Sequence, residues 1–362
     1  MRMGLTKIDW YIIRKFLGTF FYAIALIILI VIIFDLSERI DKFVENKAPL
    51  YDILFVYYLN FIPYFVNLFS PLFTFIAVIY FTSRLAFNSE IIAMLSSGIS
   101  FKRLMLPYLL SAILLAILSI YLSNVLIPSA NRERLDFENT YIRSQRQFRE
   151  RNIHMQIRPG EFIYLESFNE RLNIGYKFSM ERINDGELTF KLMADRAEWI
   201  DSIGTWSLRN YYMREIVGLN ETLTSGSRKD TIINLRPDDF IQNLRDMETM
   251  NFRELQAFID NERLKGSENI RFYLVEKHRR IAFPFATLVL TFIGAALSCR
   301  KVRGGIGLHL GIGLSLSFTF ILFMQVSTTF ATNGNLPASI AVWIPNIVFA
   351  ALGAYLLKTA PK

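Results

Sequence analysis

Asn88-Ser89-Glu90-Ile91-Ile92-Ala93-Met94-Leu95-Ser96-Ser97-Gly98-Ile99-Ser100 separates two apolar runs and is too polar to continue either. The run before it, residues 53 to 83, and the run after it, residues 104 to 131, contain no Asp, Glu, Lys or Arg. Read at about 3.6 residues per turn, Ile91, Met94, Leu95 and Ile99 share one face, with Glu90, Ala93 and Ser97 on another. Asn88 or Ser89 is placed to cap the start, Glu90 suits the positive end of the helix dipole, and Gly98 supplies a stop. The pattern predicts a short helix of a few turns beneath a membrane. Such a helix either rests its apolar face on lipid or offers a partner a rigid surface to push on.

Charge-free runs recur at residues 16 to 34 and 281 to 299, and each run reaches the roughly 18 residues that mark a membrane-spanning helix. From Gly304 to Leu357 the one ionisable side chain is His309, and Asn333-Gly334-Asn335-Leu336-Pro337 breaks that stretch in two. The expectation is six spans, with both termini on one side. A composition of 52% hydrophobic residues with 32 Phe in 362 positions, and a mean hydropathy of +0.30, excludes an ordinary soluble domain.

Orientation follows from the bases in the short connections. One side collects Arg2, Lys7, Arg14, Lys15, Arg84, Lys102, Arg103, Arg300, Lys301, Arg303, Lys358 and Lys362, against Arg39, Lys42 and Lys47 on the other. The positive-inside bias therefore places both termini in the cytoplasm. The net charge of +8 is mostly this topological signal and not a nucleic-acid footprint. No small-residue cleavage site follows the first span, so it reads as a retained helix.

Three spans in residues 1 to 130 and three in 271 to 362 flank a polar insert at 131 to 270, which the charge rule puts outside the cytoplasm. The turns Arg158-Pro159-Gly160-Glu161 and Asn184-Asp185-Gly186-Glu187 separate strand candidates at 162 to 165, 174 to 183 and 188 to 192, and Trp206 to Tyr212 is another. Short strands with repeated turns predict an all-β domain, a small sandwich or jelly roll. Asn251-Phe252-Arg253-Glu254 then opens a helix that ends near Gly266. The fold class expected is an α-helical membrane bundle of six spans with an inserted periplasmic, jelly-roll-like β domain.

Little here points to catalysis. The chain has no GxxxxGK[ST] phosphate loop, no GxSxG elbow and no HExxH. His154, His278 and His309 are too scattered for a metal site, and Cys299 stands alone. Gly307 and Gly311, one helical turn apart, suggest close helix packing. The bases Lys277, His278, Arg279 and Arg280 before the fourth span read either as a snorkelling boundary or as a site for anionic lipid head groups. Asp35, Glu38, Arg39, Asp41 and Lys42 end the first span on the same side; their mixed signs favour a salt-bridged helix extension, with Arg39 and Lys42 as weaker phosphate candidates.

Together these pieces resemble the LptF/LptG permease family, the membrane subunits of the bacterial lipopolysaccharide exporter, over essentially the whole chain. Ser89 to Met94 with Ser97-Gly98-Ile99-Ser100 looks like the family's coupling helix, Glu276, His278 and Arg280 followed by Pro284 like its fourth-span start, and Ile8 to Ile12 like its N-terminal lead. The resemblance implies an inner-membrane permease that pairs with a second homologous permease and a cytoplasmic ABC ATPase dimer. It makes Glu90, Ile91, Met94, Leu95, Ser97 and Gly98 the docking element. It implies that ATP is bound by the partner, with no cofactor in this chain, and that lipopolysaccharide is lifted from the outer leaflet and handed to a periplasmic bridge protein. Some members of the family carry a base near the outer end of the first span for lipid phosphate; here the nearest residue is Asp35, with Arg39 a helical turn later. Two other classes compete. An anchored β domain that binds or senses an envelope component needs only one or two spans, and an ion-driven transporter usually carries ionisable groups at mid-membrane, where this chain offers only His309.

Overall fold

The computed structural model describes residues 5–142, 151–233, 235–240, 246–267, 269–300, 305–334 and 336–359. Arg2, Lys301, Arg303, Gly304, Asn335 and Lys362, used in the reading above, lie outside the described residues. The chain forms two compact units.

The helical unit comprises Met1–Ile142, Met247–Arg253 and Arg271–Lys362. Its helices are α1 (Lys7–Glu45), α2 (Leu59–Phe87), α3 (Glu90–Ser96), α4 (Phe101–Tyr121), α5 (Ile127–Phe137), α7 (Ile270–Ser298), α8 (Gly305–Asn333), α9 (Ala338–Ala341) and α10 (Ile344–Thr359). A further helix, α6 (Phe252–Lys265), precedes α7. Among the described residues six helices are long and apolar enough to cross a membrane, two of them, Asp52–Phe87 and Phe101–Ile142, continuing through joined segments. The joints are π turns at Asp52–Tyr58, Leu122–Leu126 and Glu138–Ile142. The third span, 42 residues long, is about 60 Å by helical rise, twice the hydrocarbon thickness of roughly 30 Å.

Each span buries one stripe and exposes the other, as a solvent of lipid requires. Ile12, Phe16 and Phe20 of α1 pack with Val78, Phe81 and Leu85 of α2, Leu104 and Tyr108 of α4, and Ile91 of α3. A second cluster joins Phe75 and Ile79 of α2 to Leu290 and Ile293 of α7, Phe320 of α8 and Phe349 of α10. The opposite faces leave large apolar side chains such as Leu29, Phe34, Ile117, Leu322 and Phe330 exposed. Close approach inside the bundle depends on Gly294, where a Cβ would come within 2.9 Å of the Phe75 ring, and on Gly313, where it would meet Ile79. A Cβ on Gly307 or Gly311 would meet nothing within 4 Å. The predicted packing pair is therefore corrected: within this chain, Gly294 and Gly313 make the close approach.

The second unit, Arg143–Asp246 with Glu254–Ile270, is built on one antiparallel sheet. Its strands are β1 (Arg151–Arg158), β2 (Glu161–Asn169), β3 (Ile174–Asn184), β4 (Glu187–Ile200), β5 (Thr205–Val217) and β6 (Asn220–Thr231), paired in sequence order. The all-β class is as expected, and the connectivity is a meander without a Greek-key crossover among the described strands. Asp185 and Gly186 both adopt positive φ, +52° and +84°, as a tight hairpin requires. Ile163, Leu165, Phe178, Leu192, Trp206 and Leu208 form one buried face, and the Trp206 indole N–H donates to the Leu235 carbonyl at 2.9 Å.

Candidate functional site

The short helix α3 is fastened to the start of α1. The Tyr11 hydroxyl donates to Glu90 Oε2 at 3.1 Å, across 79 positions of sequence. Past Gly98, the Arg103 guanidinium grips both carboxylate oxygens of Asp9, at 2.6 Å from Nη1 and 2.5 Å from Nη2. Asp9 also closes a capping box with Thr6 at the first turn of α1. A bidentate Arg–carboxylate pair fixes orientation as well as distance. Both flanks of α3 are therefore tied to one helix.

The start of α3 is made differently from the expectation, and its end as expected. Ser89 occupies the cap position at φ +63° with no side-chain hydrogen bond to the helix. Asn88 ends α2 instead, and its side-chain amide donates to Glu90 Oε1 at 3.3 Å. Gly98 supplies the stop at φ +89°, and the Ser97 hydroxyl donates to the Met94 carbonyl at 2.7 Å. The helix is only two turns long.

Of the predicted docking residues, Ile91 is buried at 2% exposure, with Met94 and Leu95 half-buried against the same core. Glu90 is half-buried, and Ser97 and Gly98 are exposed. The face left open is led by Ile92, 51% exposed, with Ala93 and Ser96 beside it. Ile92 escaped the sequence reading. Its signal was a second β-branched residue adjacent to Ile91, about 100° around the helix and off the apolar stripe. A shallow groove lined by Lys7, Ile8, Tyr11, Glu90, Ala93 and Met94 runs between α1 and α3.

At the other end of α1, Asp35 is a hub. It accepts from the hydroxyls of Tyr57 at 2.9 Å and Tyr58 at 3.3 Å, and pairs with Arg39 Nε at 2.9 Å. The π turn explains the double contact, because a wider turn brings consecutive side chains closer in direction. Arg39 lies over the Tyr57 ring and reaches Glu138 at 3.6 Å, and Arg134 meets both Glu138 and, at 4.0 Å, Glu248. The half-buried Arg39 is thus held within the protein, while Lys42 is exposed.

The bases on α7 separate into two kinds. Arg280, 5% exposed, donates from Nε to Glu276 Oε1 at 3.0 Å, from Nη1 to the Met250 carbonyl at 2.6 Å and from Nη2 to the Met247 carbonyl at 2.7 Å. Each of its three nitrogens donates to a protein acceptor and the side chain is buried, which argues against Arg280 as a lipid contact. Arg279 pairs with Glu276 Oε2 at 2.5 Å but keeps 44% of its side chain exposed. Lys277 and His278 are half-buried, and neither Lys42 nor Lys277 forms an ion pair among the described residues. No cluster of three or more His, Cys, Asp or Glu able to hold a metal occurs among the described residues.

One family model matches the chain: Lipopolysaccharide export system permease LptF/LptG, over residues 10–359. No curated protein matches it.

Proposed function

The chain belongs to the LptF/LptG permease family, and from that membership we propose that it couples a partner's ATP hydrolysis to lipopolysaccharide extraction. The family makes it a multi-pass membrane subunit of lipopolysaccharide export that is not itself catalytic. In our reading a cytoplasmic ABC ATPase dimer grips α3, a second permease completes the pathway, and the lipid passes from the outer leaflet to a periplasmic bridge. The carrying observation is the attachment of α3 to α1 at Glu90, and of the following start of α4 to α1 at Arg103, with the Ile92 face left open. Displacement of α3 then displaces α1 with it.

The lipid phosphates are assigned to Arg279, with Lys277 and Lys42 as further contacts. An arriving phosphate competes with Glu276 for the exposed side of the Arg279 guanidinium, an exchange of one anion for another that avoids leaving a bare charge.

The test is co-purification with a co-expressed ATPase. Burying an exposed Ile contributes about 1.5–3 kcal/mol, so Ile92→Asp should weaken association about tenfold or more. Glu90→Lys should do the same, although it also breaks the Tyr11 bond. Unchanged co-purification and ATPase activity in both variants refutes the docking role of α3.

A further inference from the structure

Resting on the phosphate role given above to Arg279, we propose that a cavity between the second, third and fourth spans receives the ammonium of a phosphoethanolamine group whose phosphate lies on that arginine. The cavity is about 70 Å³ and is walled by α2, the π turn at Leu122–Leu126, α5, α7 and the strap at Glu248. Neither α1 nor α8 contributes to it. Leu68 and Arg279 are its exposed wall residues, so it opens beside them. Its floor is closed within this chain, where Ser123, Ile127, Asn131, Glu276 and Arg280 are buried. Asn131 ends the charge-free run of the third span and Arg280 directly precedes that of the fourth, which sets the cavity at the boundary of the hydrocarbon.

Asn131 points to the ligand. Its side chain is 0% exposed, and its Nδ2 donates to the Glu248 carbonyl at 3.3 Å, which fixes the other amide atom as the oxygen. That oxygen, Oδ1, is left without a partner. A buried acceptor without a partner calls for a donor. Size then limits what can enter, because the cavity matches about two waters at roughly 30 Å³ each. The tip of a head group fits, while its phosphate stays outside on the open side of Arg279. Charge selects the tip. Around the cavity Arg134, Arg279 and Arg280 are matched by Glu138, Glu248 and Glu276. A phosphate alone would leave this set in negative excess, and a phosphate that carries its own ammonium keeps it balanced. A hydroxyl or a water would satisfy Oδ1 without restoring that balance. Two sources carry this chemistry: membrane phosphatidylethanolamine, or a transported lipid substituted with ethanolamine phosphate.

The test measures lipid retained by the purified full-length chain, with any co-purifying subunits, after incorporation into nanodiscs of phosphatidylethanolamine and phosphatidylcholine in equal amounts and transfer to detergent. The two heads carry the same charges, but the choline nitrogen has no N–H to donate. Wild type should retain phosphatidylethanolamine about tenfold over phosphatidylcholine, the size of one hydrogen bond made by a charged group. Asn131→Leu removes the acceptor at similar volume and should bring the two lipids to parity. Asn131→Asp keeps an acceptor and should preserve the preference, which separates lost binding from lost folding. Arg279→Gln should lower retention of both lipids together. Parity in the wild type, or a preference that survives Asn131→Leu, overturns the proposal, as does experimental density showing only water in the cavity. Competition with lipopolysaccharide bearing or lacking ethanolamine phosphate identifies the source. Stronger displacement by the substituted form assigns the site to the transported lipid, and equal displacement assigns it to a membrane phospholipid. If the preference is absent while lipopolysaccharide crosslinking still depends on Arg279, the phosphate role stands and the ammonium site falls; if that dependence is absent too, both fall.

Discussion

Arg279 and Arg280 are neighbours with the same chemistry, yet replacing them should have opposite consequences. Arg280→Met removes three donors at once, and two of the acceptors left behind are backbone carbonyls, at Met247 and Met250. The Met247 carbonyl keeps the Met250 N–H at 3.4 Å, so the cost of an unsatisfied acceptor, roughly 1–3 kcal/mol, falls mainly on the half-buried Met250 carbonyl. Glu276 retains Arg279, so the larger penalty for a stranded buried charge, about 3–5 kcal/mol, is not incurred in full. With the lost bond to Glu276 added, the expected destabilisation is about 2 kcal/mol. Arg279→Met breaks one pair on a side chain that is 44% exposed, worth about 0–1 kcal/mol. Equilibrium unfolding of both variants in detergent measures the difference directly. Crosslinking of lipopolysaccharide should fall in Arg279→Met and stay near wild type in Arg280→Met at temperatures where it is folded. If the two variants unfold alike, or Arg280→Met costs less than about 1 kcal/mol, the division into a strap-holding and a lipid-facing arginine is wrong.

Two smaller predictions concern packing and pH. Gly294→Ala drives a Cβ against the fully buried Phe75 ring and Val78 and should destabilise the bundle by about 1–3 kcal/mol, whereas Gly311→Ala, facing open space, should be neutral or stabilising by up to about 1 kcal/mol in the same unfolding assay. In the β unit, burial opposes the charge on Lys265, but the Asp239 and Glu262 carboxylates outweigh it and hold its pKa above the ordinary 10.5. A raised pKa means stability that is fully present below pH 10.5 and lost as pH rises through the folded value. Lys265→Met should therefore flatten the alkaline limb of unfolding, and an unchanged limb refutes the linkage.

The spans were legible because a charge in hydrocarbon is costly, so the charge-free runs had to mark them. Their ends were less so. α1 runs on to Glu45, well past Phe34, because Asp35 and Arg39 pair one turn apart and carry the helix out of the apolar stretch. The hairpin at Asp185-Gly186 was legible from turn chemistry alone. β6 was not, since its twelve residues contain a single large apolar side chain, Leu223, and its pairing with β5 is a backbone property. At the site, the acid at position 90 stood out among bases, but its Tyr11 partner lies 79 positions away and no local pattern announces it. Arg280 looked like Arg279 in sequence; only the returning strap at Met247 and Met250 distinguishes them.

The π turn at Asp52–Tyr58 has a separate consequence for how this helix tolerates change. A turn closed from i to i+5 contains one residue more than its α counterpart, so the helices on its two sides keep their own phase around a single surplus position. Deleting that one residue would let the turn relax to ordinary α geometry without rotating the apolar stripe of α2. It would swing Tyr57 and Tyr58 away from Asp35. The polar hub is thus an insertion's width away from absence, and can be lost or acquired while the membrane helix beneath it stays in register.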